Sequence, residues 1–216
     1  IHNNLEKYLT YKEKNKKKSN TEIIATINTH QEENAYEETK ESDTTKNILI
    51  NINKYYKVNE DYEPSEITNI NLQYAYANNK LAKVANDAYV AMWNAAKESD
   101  LKLIVNTSYR TYKSQETMYE NTKATSGTRA ADNQVARPGH SDHQSGLSID
   151  VFEINSQTMA TFKDSPAYVW LKENAYKYGF IERYPEGKEY ITGFTYEPWH
   201  WRYVGAEHAE AMNELD

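Results

Sequence analysis

Cysteine is absent from the 216-residue chain, and glycine and proline are scarce, with seven and five residues. The lack of cysteine excludes disulfides and thiolate metal ligands, and it is compatible with either redox compartment. No stretch of 18 apolar residues occurs, so nothing in this chain is expected to span a membrane. The chain begins with Ile and not Met, which predicts that a targeting segment has been removed.

Positively charged residues are also fewer than negatively charged ones. Lys and Arg together number 25 against 32 Asp and Glu, which gives a formal net charge of −7. Nucleic-acid binders need clustered Lys and Arg to displace counterions, so this balance argues against a nucleic-acid partner. The one basic run, residues 12–18, is short and contains an acid, and we expect it to be a solvated helix end.

The rest of the composition is that of a globular protein. Hydrophobic residues make up 38% of the chain, and Tyr occurs 19 times against four Phe, so many core rings are expected to carry a hydroxyl. Such a length suits one domain with a small appendage. Residues 1–46, polar and charged, are predicted to form an N-terminal helical extension packed on or leading into a main domain of residues 47–216. Helix starts are predicted at Leu5 and at Ser19-Asn-Thr-Glu.

Hydrophobic periodicity predicts the elements of the main domain. Apolar residues three and four apart indicate a helix over Leu81–Lys97, with Val84 on its apolar face, and Ser114 begins another helix. A helix over Ser165–Tyr178 has Pro166 in its first turn and Gly179 at its end. Residues 125–139 are predicted to be a loop, and residues 47–53 a strand or extended segment. Strands are predicted at residues 103–108, 147–152 and 199–204. Helices placed first and strands clustered later favour an α+β fold, with helices packed on a central, mostly antiparallel sheet.

Two short clusters hold side chains suited to a metal. His143 and Asp150 lie seven residues apart, and Glu197 and His200 lie three apart in Glu-Pro-Trp-His. Catalytic zinc takes three protein ligands of the His/His/acid kind and keeps one position for water, while a spare carboxylate can move protons. A lone His is more often a surface or core residue. An acidic companion near each of these two favours a metal site.

The alternation of the predicted strands orients these side chains. Asp150 lies on the face opposite Leu147, Ile149 and Val151, in a strand where an ionised carboxylate is costly unless a cation compensates it. Strand parity alone would send Glu197 to the other side from His200. A kink at Pro198 would return Glu197 to the pocket, and the alternative is an exposed loop acid.

Three polar residues are candidates for substrate contacts. Arg110 ends a buried strand, where its guanidinium can hold a carboxylate or a developing oxyanion, although a surface ion pair is an equally good interpretation. Gln115 and Ser141 could donate hydrogen bonds to a substrate carboxylate, but each alone resembles a turn or cap residue.

The candidate residues lie in four longer segments that can be compared with known families. These segments are Ser-Tyr-Arg-Thr-Tyr-Lys-Ser-Gln at 108–115, Ala-Arg-Pro-Gly-His-Ser-Asp-His-Gln-Ser-Gly-Leu-Ser-Ile-Asp at 136–150, Tyr-Gly-Phe-Ile-Glu-Arg-Tyr-Pro at 178–185 and Thr-Gly-Phe-Thr-Tyr-Glu-Pro-Trp-His-Trp-Arg-Tyr-Val-Gly at 192–205. Taken together, they resemble the zinc-dependent peptidoglycan carboxypeptidases of the VanY and LdcB type, the D-alanyl-D-alanine carboxypeptidase branch of the M15 (M15B) metallopeptidases. The similarity extends weakly into residues 1–46, and Ser108 stands where the family commonly has Gly.

The resemblance implies a hedgehog-like zinc peptidase fold over residues 47–216 and a role for each candidate side chain. Zn²⁺ would be the cofactor and Glu197 the general base. Arg110 would contribute to catalysis and bind substrate, with Gln115 and Ser141 lining the subsite for the terminal residue. The zinc ligands would be His143, Asp150 and His200.

The implied reaction is removal of the C-terminal D-alanine from peptidoglycan stem peptides, by D,D- or L,D-carboxypeptidase action. The alternatives within the same family are a D,D-dipeptidase and an L-alanyl-D-glutamate endopeptidase, and the non-enzyme alternative is a cell-wall peptide-binding module. The expected partner is the stem peptide, with no nucleic acid. A monomer is expected, acting outside the cytoplasmic membrane in the cell wall or tethered to the membrane's outer face.

Overall fold

The protein is described by a computed structural model that covers residues 4–32, 36–154 and 161–215. At its centre lies a four-stranded antiparallel sheet, which agrees with the predicted α+β class. Along the sheet the strands run in the order β5 (Leu103–Thr107), β6 (Ser148–Glu153), β8 (His200–Tyr203) and β7 (Phe180–Glu182). The three predicted strands therefore form three neighbouring members of one sheet.

Two predicted helices, α3 (Lys83–Glu98) and α6 (Pro166–Asn174), contact strands of this sheet. The Trp93 indole donates to the carbonyl of Leu103 at 2.8 Å, which ties α3 to the sheet. The α3 prediction was wrong at Val84, whose side chain is exposed. This helix also begins later than predicted, because Leu81 lies in β4 (Lys80–Ala82), paired with β3 (Ile67–Asn69).

The predicted loop over residues 125–139 was wrong for residues 125–134, where only Gly127 lies outside a helix. The helix α4 (Tyr112–Ser126) ends at Gly127, whose φ of 81° breaks the chain direction, and α5 (Thr128–Gln134) follows directly. The helix α5 forms because Ala131 is fully buried and Asp132 accepts a hydrogen bond from Tyr119 of α4. A local pattern of polar residues could not reveal this tertiary contact.

Residues 47–53 were predicted to be a strand or an extended segment, and no strand forms there. Residues Thr44–Leu49 form two short 3₁₀ turns separated by a kink at Asn47, whose φ is 49°, and residues 50–52 have no partner strand. Ile50 and Ile52 are buried on alternate positions, so the alternation reports burial without a partner strand. Arg202 explains this, since its guanidinium donates to the carbonyls of Ile48 and Ile50 at 3.2 and 2.7 Å.

The N-terminal residues form a helix pair that rests on the main domain. Ser19 caps the second helix in a reciprocal box with Glu22, as its sequence predicted. A Cβ at Gly193 would clash with Gln31, so the chain after the helix pair packs directly on that glycine. The boundary at residue 46 stays a prediction. The elements of this region are α1 (Leu5–Lys14), α2 (Asn20–Asn28) and β1 (Lys40–Glu41), which pairs in parallel with β2 (Tyr56–Lys57) of the main domain.

Shorter elements complete the described chain. Within its described ranges no helix has the length and apolar character needed to cross a bilayer. The remaining elements are 3₁₀ helices at Asp142–Ser145, Phe162–Asp164 and Ala175–Tyr178, together with α7 (Glu189–Thr192) and α8 (Ala206–Glu214).

Candidate active site

The sheet brings three of the predicted side chains to one point. Asp150 on β6 and His200 on β8 are direct partners in the antiparallel register, and His143 comes from the 3₁₀ helix that precedes β6. Asp150 Oδ1 lies 2.9 Å from His200 Nδ1, and Asp150 Oδ2 lies 3.4 Å from His143 Nε2. One donor atom from each residue lies within 4.8 Å of the other two.

This donor set fits a zinc ion. Tetrahedral zinc with bonds of about 2.0–2.2 Å separates its ligand atoms by roughly 3.3–3.6 Å. The distances from Asp150 to the two imidazoles, 2.9 and 3.4 Å, are near this range. All three side chains are buried, and among the described residues the buried Nδ1 of His143 has no hydrogen-bond partner. Burial alone would raise the pKa of Asp150, but His143 and His200 outweigh it and hold that pKa below its ordinary value. An ionised carboxylate beside two imidazoles is a suitable cation site.

Glu197 reaches the same point through a turn. The strand β8 begins only at His200, and the amide of His200 donates to the carbonyl of Glu197 at 3.0 Å across Pro198. Glu197 Oε2 then lies 3.8 Å from His200 Nδ1 with its side chain 22% exposed. The exposed-loop alternative therefore does not describe its position. Burial raises the pKa of Glu197 to about 7, partly offset by His200 and Arg110.

Arg110 is held in place by Gln115. Its guanidinium donates to Gln115 Oε1 at 2.7 Å, and the Gln115 amide nitrogen donates to the carbonyl of Ala136 at 2.7 Å. Burial lowers the pKa of Arg110, while Asp150 and Glu197 oppose that effect, so the cation faces the two acids of the site. Both ends of the Gln115 amide are thus engaged with the protein. Ser141 is buried at the start of the 3₁₀ helix and makes no capping hydrogen bond.

Sequence reasoning missed Asp142, the most enclosed acid of the site. Its carboxylate lies 3.2 Å from His200 Nε2 and accepts hydrogen bonds from Arg202 and Ser148. Burial by itself would raise the pKa of Asp142, but Arg202, His200 and Arg183 together hold it well below its ordinary value. Its position beside His143 was the available signal, but only the fold places His200 and Arg202 around it.

A third buried imidazole, that of His140, lies outside the donor cluster. Its Nδ1 donates to the carbonyl of Asn53 at 2.8 Å, and its ring contacts Tyr36 edge-on. Burial lowers the pKa of His140 to about 4, against an ordinary value near 6.5. The unfolded chain therefore takes up a proton more readily than the folded one.

We expect the stability that depends on neutral His140 to be fully present above pH 6.5, where both the folded and the unfolded chain are neutral at this residue. It should decrease as the unfolded chain takes up a proton below pH 6.5 and be lost as the pH falls through 4. The contribution is at most roughly 3 kcal/mol. Urea unfolding of the wild type and His140→Gln from pH 4 to 7 should show a weaker pH dependence in the variant. His208→Gln on α8 is the control and should keep the wild-type profile. Identical profiles for wild type and His140→Gln would refute this assignment.

Comparison with known proteins places this geometry in a family. Residues 78–206 match the family model of the VanY D-alanyl-D-alanine carboxypeptidases. The putative carboxypeptidase YodJ of Bacillus subtilis (strain 168) is 38% identical over 79% of this chain and 64% of its own length. A D-alanyl-D-alanine carboxypeptidase of Enterococcus faecium is 35% identical over 84% of this chain and 59% of its own length. The chain thus spans less than two thirds of these relatives.

Solved structures of carboxypeptidases have the same fold as this chain. The LdcB LD-carboxypeptidase superposes with a TM-score of 0.78 at 34% identity, covering 86% of this chain and 92% of that one. The D,D-pentapeptidase VanY of a VanB-type resistance cassette, solved with Zn(II), gives a TM-score of 0.65 at 29% identity, covering 78% and 94%. Sequence, fold and the placement of the acids and imidazoles lead to one assignment: this chain belongs to the VanY family of D-alanyl-D-alanine carboxypeptidases.

Proposed function

We propose that the protein is a zinc-dependent carboxypeptidase that removes the C-terminal D-alanine from peptidoglycan stem peptides. The observation that carries this proposal is the buried cluster of His143, Asp150 and His200 with the Glu197 carboxylate at its solvent-facing edge. Among structural neighbours, VanY was solved with Zn(II) and VanYB with D-alanine-D-alanine. The site of action would be the cell wall, outside the cytoplasmic membrane.

The residues divide the work of peptide hydrolysis. His143, Asp150 and His200 would hold the zinc, which when bound lowers the pKa of a water molecule and polarises a carbonyl. Glu197 accepts the proton from the attacking water and passes it to the leaving amine nitrogen as the C–N bond breaks. A carboxylate with a pKa near neutrality can both take up and release a proton. Glu197 therefore acts first as base and then as acid.

Arg110 would bind the terminal carboxylate or stabilise the oxyanion that forms on the scissile carbonyl. Its guanidinium is oriented by Gln115, so we propose that Gln115 acts on substrate chiefly through Arg110. Ser141 remains a candidate for the subsite of the terminal residue. Oriented donors are effective because they need no rearrangement as charge develops, and one such donor contributes about 3 to 4 kcal/mol.

Stem pentapeptide and tetrapeptide, offered side by side with products identified by mass, test this function. Loss of a single alanine supports it, and the peptide that loses the alanine identifies D,D- or L,D-action. Hydrolysis of free D-alanyl-D-alanine, with neither stem peptide cut, would instead indicate a D,D-dipeptidase, and cleavage near the other end of the stem would indicate an endopeptidase. A zinc-loaded protein that binds both peptides and cuts neither would indicate a binding module.

Amidation of the C-terminal carboxylate should reduce kcat/KM by at least about tenfold. The reason is that the amide loses the charge-assisted hydrogen bonds that a cation such as Arg110 donates, which contribute about 1.5 to 3 kcal/mol. Rates on the free and amidated forms of one peptide provide the measurement. Equal cleavage of both forms would contradict carboxypeptidase action.

A further inference from the structure

A cavity of about 720 Å³ lies where the N-terminal extension meets the main domain, away from the cluster of imidazoles. The extension supplies Tyr36 to its wall, and the main domain supplies Lys54, Asp132 and Arg137. Neither the expected zinc site nor the reaction uses this cavity. It is large enough to admit part of a peptide.

Lys54 is a half-buried ammonium in this cavity. Its Nζ lies 4.9 Å from the ring centre of Phe194 and 5.7 Å from that of Tyr36. No ion pair or hydrogen bond of the Lys54 ammonium occurs among the described residues. Burial lowers its pKa, in keeping with an ammonium that is partly removed from water. A cation in such surroundings gains from an anionic partner.

The acid facing Lys54 is already engaged. Asp132 accepts two hydrogen bonds from Arg137, at 2.8 and 2.9 Å, and a third from Tyr119. This ion pair neutralises the charges of Asp132 and Arg137 inside the cavity wall. The Arg137 guanidinium also lies over the Tyr36 ring, 4.3 Å from the ring centre. The rim of the cavity carries one cation and two acids. These are the exposed Arg129, the exposed Glu37 and the half-buried Glu32. The inner part of the cavity is therefore positive at Lys54.

Only a short row of buried aromatic rings separates the cavity from the candidate active site. Phe194 contacts Tyr184 at 5.1 Å between ring centres, and Tyr184 contacts His200 at 4.9 Å. The Lys54 ammonium and the His200 ring are therefore at most roughly 15 Å apart, which three to five residues of extended peptide would span. A stem peptide cut at its terminus would place its earlier residues at this distance.

We propose that Lys54 binds a second carboxylate of the substrate, carried as a branch by a residue N-terminal to the scissile bond. This inference rests on the proposed function, because it takes the stem peptide as the substrate. The site makes the N-terminal extension part of substrate recognition, since Tyr36 supports both Lys54 and Arg137. Substrates with a free branch carboxylate are preferred over substrates in which that group is amidated.

Two stem peptides that differ only in amidation of the branch carboxylate test this inference. Their affinity is measured by calorimetry on the zinc-loaded Glu197→Ala variant, which binds without turnover, and their kcat/KM on the enzyme with Glu197 intact. The free carboxylate should improve affinity by at least about tenfold, as expected for a charge-assisted hydrogen bond. In both backgrounds, Lys54→Gln should abolish the preference and Lys54→Arg should keep most of it.

Lys97→Gln is the matched control, because Lys97 also lies over an aromatic ring, at 5.4 Å from the centre of Trp93, but on α3. That variant should keep the full preference. Equal affinity of the two peptides for the Glu197→Ala protein would overturn the inference, as would a preference that survives Lys54→Gln. If a preference is found but neither peptide is cut by the enzyme with Glu197 intact, the proposed function fails while the carboxylate site stands.

Discussion

Replacement of Glu197 by Gln is expected to lower kcat/KM by about 1,000-fold or more while the protein still binds one zinc ion. The amide has nearly the same shape as the carboxylate but cannot accept the proton of the attacking water. General acid–base catalysis by one positioned group contributes about 10²- to 10⁴-fold. Glu197 lies 3.8 Å from His200 Nδ1 and is not among the three clustered donors, so metal binding should survive.

Kinetics on stem peptides and metal analysis of the same sample measure the two effects. His200→Ala provides the contrast, because it removes one of the three donors and should lose zinc and activity together. Glu189→Gln on α7 is the neutral control, since that carboxylate is exposed. Normal turnover by Glu197→Gln would remove Glu197 from the role of base. Loss of zinc from that variant would instead make it a ligand.

Replacement of Asp142 by Asn should weaken zinc binding by about 10- to 100-fold and destabilise the metal-free protein by roughly 3 to 5 kcal/mol. The first effect arises because a carboxylate on His200 Nε2 orients the ring, and partners of metal ligands affect affinity by this factor. The second arises because the buried Arg202 cation loses its anionic partner. Asp142 thus acts through His200 and is a positioning residue.

Zinc dissociation constants from chelator competition and urea unfolding of the metal-free protein separate these effects. Arg202→Met should reproduce the loss of stability, because it leaves Asp142 buried without its main cation. Asp87→Asn is the control, since its pair with Lys83 is exposed on α3 and such pairs contribute little. Unchanged zinc affinity in Asp142→Asn would show that the contact with His200 does not orient the ligand.

Much of the candidate site was predictable from local pattern. The alternation in residues 147–152 correctly separated Asp150 from the apolar face, because successive side chains of a strand point to opposite faces of the sheet. The Pro after Glu197 correctly indicated a kink, since Pro interrupts regular pairing. These inferences needed only neighbours a few residues apart in the chain. Gln115 was predicted to line a substrate subsite. It lies near the site, but its amide group is hydrogen-bonded to Arg110 and to the carbonyl of Ala136.

Contacts with residues outside the predicted segments explain the incorrect predictions of secondary structure. Of the strand or extended segment predicted for residues 47–53, the strand does not form, because Arg202, some 150 residues away, donates to the carbonyls of Ile48 and Ile50 that a partner strand would have used. The loop predicted for residues 125–139 was wrong where α5 forms, because Asp132 of α5 accepts a hydrogen bond from Tyr119 of α4. In each case the polar partner lies outside the segment whose structure was predicted.

The sequence by itself determined the class of the fold, the donor types for a metal and the faces on which they lie, because these depend on residue chemistry and strand periodicity. Tertiary structure alone decided that β6 and β8 are neighbours, which sets Asp150 beside His200. It alone surrounded Asp142 with His200, Arg202 and Arg183. It alone also placed Lys54 in a cavity that lies apart from the cluster of imidazoles. Burial creates the charge environment of these groups, and burial is a property of the assembled chain.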